Sequence, residues 1–208
     1  MRAEYLTVAR AATVEIEVRR SRFRCDVRRV ETEEAARAVV AAARREHGGA
    51  RHHCSAFVLG PDGATTRSSD DGEPSGTAGA PMLEVLRGRE VSDVVAVVTR
   101  WFGGVLLGAG GLVRAYGDAV RAGLDEAGVR RRVMVSRFDL AAAHAHAARW
   151  EADLRARDVT VLGADYADQV VLHLAVPAAS AADLAPLVAS VTGGSAVLVP
   201  AGEAWVDA

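Results

Sequence analysis

The first third of the chain alternates. In "TVEIEV" (13–18) apolar and charged positions exchange at every step. "SRFRCDVRRV" (21–30) is rich in β-branched and apolar residues, so the two stretches predict strands joined by a tight turn at Arg19-Arg20. The period then lengthens. Thr32 predicts a helix cap, Glu33 and Glu34 suit the positive end, Arg44, Arg45 and His47 suit the negative end, and Gly48-Gly49 stops the helix. "CSAFVLG" (54–60) predicts a third strand, followed by the polar loop "PDGATTRSSDDGEPSGTAG" (61–79). A short helix is expected over 81–87, ending at Gly88, then a buried strand in "DVVAVVTRWF" (93–102) and a helix over 112–127.

The pattern changes near Gly128. "RRRVMVSRFDL" predicts a strand, 141–157 a helix, "VTVLGADY" and "QVVLHLAV" two strands, 180–190 a helix and "SAVLVP" a last strand. That order, βαββαβ, predicts a ferredoxin-like plait with two helices on one face of a four-stranded antiparallel sheet. The chain is therefore expected to be α+β with two domains, 1–128 and 129–208, each large enough for its own core. Leu140, Ala143, Ala147, Trp150 and Leu154 form an expected core stripe, with His144 and His146 off it.

Composition narrows the function classes. Of 208 residues 50% are hydrophobic and 25% charged, and the net charge of −2 makes no global electrostatic case for nucleic acid. All 25 basic residues are arginine, with no lysine and no asparagine and a single isoleucine, a bias expected from a G+C-rich genome. It excludes a Schiff-base or phosphate-gripping lysine. Two cysteines, Cys25 and Cys54, fall in expected strands and suggest buried thiols in a reducing compartment. The N-terminal "MRAEYLTVAR" lacks the apolar core of a signal peptide, and no run reaches the ~18 apolar residues of a membrane span. The expected location is cytoplasmic, without membrane contact.

The strongest chemical signal is "TRWFGGVLLGAGGLVRAYGDAV" (99–120), where Gly103, Gly104, Gly108, Gly110 and Gly111 crowd ahead of a helix. Bare backbone at a helix start leaves unpaired N–H groups open to an anion. Arg100 and Arg114 flank the loop and are expected to point at the same anion, such as a small-molecule phosphate or an RNA backbone. The alternative is architectural: Gly103-Gly104 as a turn, Gly110-Gly111 as close packing, and Arg114, Asp118, Arg121 and Asp125 as an ion-paired solvated face.

A second cluster, Asp70, Asp71 and Glu73, precedes Ser75 and Thr77. Bracing of the arginine loop ranks first, a plain turn second and Mg²⁺ binding third. Ser75 or Thr77 is the expected cap of the following helix. His47, His52, His53 and Cys54 lack zinc spacing, so one buried histidine and solvated neighbours are expected, with no metal site. Trp101, beside the glycines, is suited to stacking on a base, though core burial ranks higher.

"SRF" (21–23), "HCSAF" (53–57), "SDDGEPSGTAGAPMLEVL" (69–86) and "VVAVVTRWFGGVLLGAGGLVRAYGDAV" (94–120) resemble the IMPACT/YigZ family, in its bacterial two-domain type. The resemblance implies an N-terminal domain of the ribosomal protein S5 domain 2-like type. It also implies a C-terminal domain similar to the last domain of elongation factor G. Eukaryotic members are linked to translational control. The implied function is a non-catalytic, translation-associated regulator that binds RNA, ribosome or a translation protein and needs no cofactor. The binding residues would be Arg100, Gly103, Gly104, Gly108, Gly110, Gly111 and Arg114, supported by Asp70, Asp71, Glu73, Ser75 and Thr77. The rival is a Mg-dependent enzyme acting on a nucleotide or other phosphorylated small molecule. Two positions depart from the family pattern: Leu107 stands where a lysine is common, and Trp101 where a tyrosine is.

Overall fold

The structure, a computed structural model, describes residues 3–208. It divides into two compact units, Met1–Arg131 and Arg132–Ala208.

The first unit opens with β1 (Glu4–Val8), a strand without an alternating signature, then β2 (Ala12–Val18) and β3 (Ser21–Arg29). Arg19 and Arg20, at φ of 48° and 65°, make the two-residue turn between β2 and β3. Left-handed backbone at both turn positions matches the twist of a tight hairpin. There follow α1 (Glu33–Glu46), β4 (His52–Leu59), β5 (Thr65–Ser69), α2 (Gly79–Gly88), β6 (Val94–Trp101) and α3 (Ala109–Ala127). Thr32 caps α1 as expected, its hydroxyl accepting from the Ala35 N–H at 3.1 Å. The sheet order is β2-β3-β6-β4-β5, with every pair antiparallel.

β6 explains the layering. Its apolar run does not alternate because both faces are buried. Val94, Ala96 and Val98 pack with Met82 and Leu86 of α2 and Tyr116 and Val120 of α3, whereas Val95 and Val97 meet Ala36 and Ala43 of α1. α1 thus covers one face of the sheet, and α2 and α3 cover the other.

The polar stretch 61–79 is not all loop. Its five residues "TTRSS" form β5 because β4 supplies the backbone partners, with Phe57 opposite Arg67 and Ser55 opposite Ser69. α3 also begins three residues earlier than the apolar period indicates, on Ala109-Gly110-Gly111, which have no apolar side chain large enough to register.

The second unit contains β7 (Val129–Ala142), which begins in the first unit, α4 (His144–Arg155), β8 (Thr160–Tyr166), β9 (Val170–Pro177), α5 (Ala181–Thr192) and β10 (Leu198–Asp207). Its strands lie in the order β10-β7-β9-β8, all antiparallel. Leu140, Leu172 and Leu174 pack with Ala147, Trp150 and Leu154 of α4 and Leu184 and Val188 of α5. Leu140 therefore contributes from a strand rather than from the helix, and Ala143 is the exposed residue ahead of α4. No helix among the described residues is long and apolar enough to cross a membrane.

α3 lies close on β3 at Gly123, where a Cβ would stand 2.7 Å from Val27 Cγ2 and 3.0 Å from Cys25 Sγ. Glycine to alanine in a helix interior ordinarily stabilises by about 1 kcal/mol. Here overpacking reverses the sign, and Gly123→Ala is expected to lower the unfolding free energy by about 1–3 kcal/mol in urea denaturation.

Candidate binding site at the start of α3

The end of β6, the acidic loop and α3 meet at one carboxylate. Arg100, 6% exposed, donates from Nη1 to Glu73 Oε1 at 2.7 Å and from Nη2 to Ser21 Oγ at 3.4 Å. Tyr116 of α3 donates its hydroxyl to the same Glu73 oxygen at 2.7 Å. Cys54 Sγ lies 3.3 Å from the Tyr116 hydroxyl and 3.0 Å from the Asp70 carbonyl. Burial pushes the Cys54 thiol up to about 12 and pushes the Tyr116 phenol above its ordinary value, so both keep their protons at neutral pH. Glu73 thus accepts from two donors at a single oxygen.

Asp70 and Asp71 act elsewhere. Asp70 accepts from the N–H groups of Gly76 at 2.8 Å, Ala78 at 3.0 Å and Gly79 at 2.8 Å, and so closes the loop onto the first turn of α2. Burial works to raise its carboxyl, yet these bonds outweigh it and hold the group below its ordinary value of 3.8. Neither Ser75 nor Thr77 caps that helix: Ser75 is exposed and Thr77 turns its hydroxyl to the Pro74 carbonyl at 2.6 Å. The carboxylate reaches three amides at once where a hydroxyl would serve one. Asp71 accepts from Arg44 Nη2 and from the His53 N–H, each at 2.6 Å. Its carbonyl accepts from His52 Nδ1 at 2.9 Å, which places that ring's proton on Nδ1. Bracing of the glycine segment therefore falls to Glu73 alone.

The glycines divide into two jobs. Gly103 is architectural, because a Cβ there would stand 2.0 Å from the backbone of Arg20, and its N–H donates to Ser21 Oγ at 3.2 Å. Gly108, at φ 73°, turns the chain into α3 and offers no side chain to cap it. Leu112 N–H is the first to find an intrahelical acceptor, the Gly108 carbonyl at 3.0 Å. Among the described residues no acceptor meets the N–H groups of Ala109, Gly110 or Gly111. Beside them lies a hollow of about 340 Å³, lined by Arg51, His52, Glu73, Arg100, Phe102 and Leu106. A neighbouring hollow of about 330 Å³ is lined by Arg19, Leu107, Gly110, Gly111 and Arg114.

Arg100 and Arg114 do not share an anion hollow, contrary to the sequence expectation. Arg100 is consumed by Glu73 and Ser21, and Arg114 stands exposed farther along α3. Nor does the expected ladder occupy Arg114: Asp118 pairs with Arg121 at 2.6 Å, and Asp125 pairs with Arg89. Trp101 is half-buried rather than in the core, with the Arg22 guanidinium 4.6 Å from its ring centre and His47 at its edge. Sequence reasoning missed Phe102 and Leu106, 50% and 80% exposed, whose apolar character signalled core. Tyr116 was passed over too, since nothing in the helical period distinguishes a phenol from a packing ring. No group of three metal-ligating side chains is assembled among the described residues.

In the second unit, His173 sits on the helix-free sheet face, since Leu172 and Leu174 point to the helices. Its Nδ1 lies 2.7 Å from Asp139 and its Nε2 3.1 Å from Asp165, and these bonds raise its pKa.

The model of the Impact N-terminal domain matches residues 19–124, and that of a Domain of unknown function (DUF1949) matches residues 140–195. IMPACT family member YigZ of Escherichia coli (strain K12) is 40% identical over 197 residues, 94% of this chain and 97% of the relative. IMPACT family member YvyE of Bacillus subtilis (strain 168) is 43% identical over 166 residues, 80% of this chain and 76% of the relative. A crystal structure of a protein described only as hypothetical is similar at a TM-score of 0.66 and 39% identity, covering 96% of this chain and 98% of the other.

Two outcomes follow from the site's electrostatics. Glu73→Ala strands the Arg100 guanidinium in the interior and is expected to cost about 3–5 kcal/mol of stability by chemical denaturation. Asp70→Ala removes the α2 cap and is expected to cost about 1–2 kcal/mol at pH 7. Because the folded-state pKa of Asp70 is depressed, its contribution is complete above the unfolded value and disappears as pH falls through the folded one. The gap between wild type and Asp70→Ala should therefore narrow below about pH 4, in paired thermal melts.

Proposed function

The chain belongs to the IMPACT family, and within that family we propose that it is a non-catalytic, translation-associated binding protein whose Gly103–Arg114 surface docks RNA, free or on the ribosome. The observation that carries this proposal is the uncapped start of α3: the amides of Ala109, Gly110 and Gly111 have no acceptor among the described residues, and Ala109 lines one hollow while Gly110 and Gly111 line the next. Helix N-termini favour phosphate by geometry and by dipole. Three features add to it. Arg51 lines that hollow, and Arg19 and Arg114 line the next one, giving local positive charge on a chain of net charge −2. Phe102 projects a half-exposed ring beside them, the kind of platform on which a base stacks. The acidic residues of the neighbouring loop are engaged by protein donors and add little repulsion, and Glu73 among them braces the surface.

In fold terms we read the first unit as S5 domain 2-like. The second, with its β10-β7-β9-β8 order and two helices on one face, reads as a ferredoxin-like plait similar to the last domain of elongation factor G. Its helix-free face carries Asp139 and Asp165 around His173, which disfavours phosphate there and leaves RNA contact to the first unit. A cytoplasmic setting goes with this role.

The protein is expected to co-sediment with ribosomes at low salt and to be released as salt rises. Arg114→Ala should reduce the salt slope by about 1, and Phe102→Ala should weaken binding by about 1–3 kcal/mol at any salt. Absence of salt-sensitive association with ribosomes or RNA would overturn the proposal. So would a thermal shift produced by a nucleotide with Mg²⁺ and abolished by Asp71→Ala, which would mark an enzyme.

A further inference from the structure

α1 covers only the middle of its sheet face. Its buried side packs on Phe57 and Leu59 of β4 and Val95 and Val97 of β6, and the edge strand β5 extends beyond it. Between α1 and β5 runs a groove of about 570 Å³. Glu33, Arg37, Val40, Ala41, Arg44 and Arg45 form its helical wall, at the three- and four-residue spacing that keeps side chains on one side of a helix. On the sheet side, residues directly opposite across a strand pair share a face. Phe57 faces α1, so Arg67 opposite it does too. Ser69, two residues on, shares that face with its partner Ser55.

The groove has an excess of positive charge. Arg37 pairs with Glu33 at 2.5 Å and Arg44 with Asp71 at 2.6 Å. Arg67 donates only to the Thr66 carbonyl, at 3.0 Å, and among the described residues no carboxylate meets Arg45 or Arg67. The second, independent observation is the strand itself. β5 ends the sheet order, so half of its backbone N–H and C=O groups point away from β4 with no strand beside them.

We propose that an extended acidic segment of a partner protein docks in this groove, adding beside β5 as a sixth strand with its carboxylates on Arg67 and Arg45. Main-chain bonds to the strand edge supply affinity, and every second side chain reaches the arginines and supplies specificity. Side chains on one face of a strand recur every ~7 Å, so a short peptide presents several carboxylates along α1. RNA fits less well. The groove's aromatic residue, Phe57, is only 7% exposed and offers no stacking face, and phosphates have no use for a strand edge. The site is distinct from the Gly103–Arg114 surface and does not depend on it.

The test is fluorescence anisotropy with a labelled seven-residue peptide alternating glutamate and threonine, capped at both ends. The glutamate peptide is expected to bind in a salt-sensitive manner and its lysine counterpart not at all. Arg67→Glu should weaken binding at least about tenfold while its thermal melt matches wild type, with Arg45→Glu as the second variant should the first unfold. N-methylation of every second peptide amide should abolish binding in one of the two phases and spare it in the other. Equal binding in both phases overturns strand addition. Failure of the glutamate peptide to bind, or capture of a uridine decamer by the same arginines in its place, overturns the acidic-peptide assignment. Arg114→Ala should leave the peptide affinity unchanged, which separates this result from the fate of the RNA surface.

Discussion

The first unit turns on one desolvated ion pair. Removing a guanidinium and a carboxylate from water is repaid only when further hydrogen bonds complete both groups. Glu73 meets part of that demand by accepting from Arg100 and Tyr116 at one oxygen, and so ties the acidic loop, the end of β6 and the body of α3 to a common point, while Arg100 Nε finds no partner among the described residues. Arg100 in turn reaches Ser21, whose hydroxyl also receives the Gly103 amide, so the glycine segment is pinned at its start to the β2–β3 hairpin. The chain between Gly103 and Ala109 is therefore held at both ends by internal chemistry. What it presents outward is backbone amide, apolar side chain and peripheral arginine.

That arrangement separates two kinds of arginine which a linear motif cannot tell apart. Arg100 looks like the ligand-facing residue because it borders the glycines, and it is instead the most internal cation of the motif. Arg114, which helical spacing assigned to an ion-paired ladder, is left over because Asp118 turns to Arg121 and Asp125 to Arg89. Partner choice among several carboxylates within reach depends on side-chain rotamers, and those are set by tertiary packing.

Much of the fold was legible because each element carried its own punctuation: Thr32 before α1, the uninterrupted apolar run of β6, and the change of pattern after Gly128. The parts that escaped share a cause. β5 is polar throughout and exists because β4 offers it a ladder, and the first turn of α3 is built of glycine and alanine. In both, local side-chain pattern is silent and long-range backbone pairing or a loop's exit angle decides. At the site, the glycines and the acidic loop were visible, whereas the division of labour among Asp70, Asp71 and Glu73 was not. Three carboxylates within four residues reach separate sets of elements, Asp70 the start of α2, Asp71 α1 and β4, and Glu73 β6 and α3, and the turn geometry, with Asp71 at φ 42° and Gly72 at φ 85°, sends them apart.

The two thiols give the interior a built-in reporter. Cys25 and Cys54 are both fully enclosed, and burial drives each toward the protonated form, which is a poor nucleophile. An alkylating reagent in solution can reach either sulfur only after the sheet and α3 part. The rate of carboxymethylation of this otherwise cysteine-free chain therefore measures how often the first unit opens, and it does so without any engineered label.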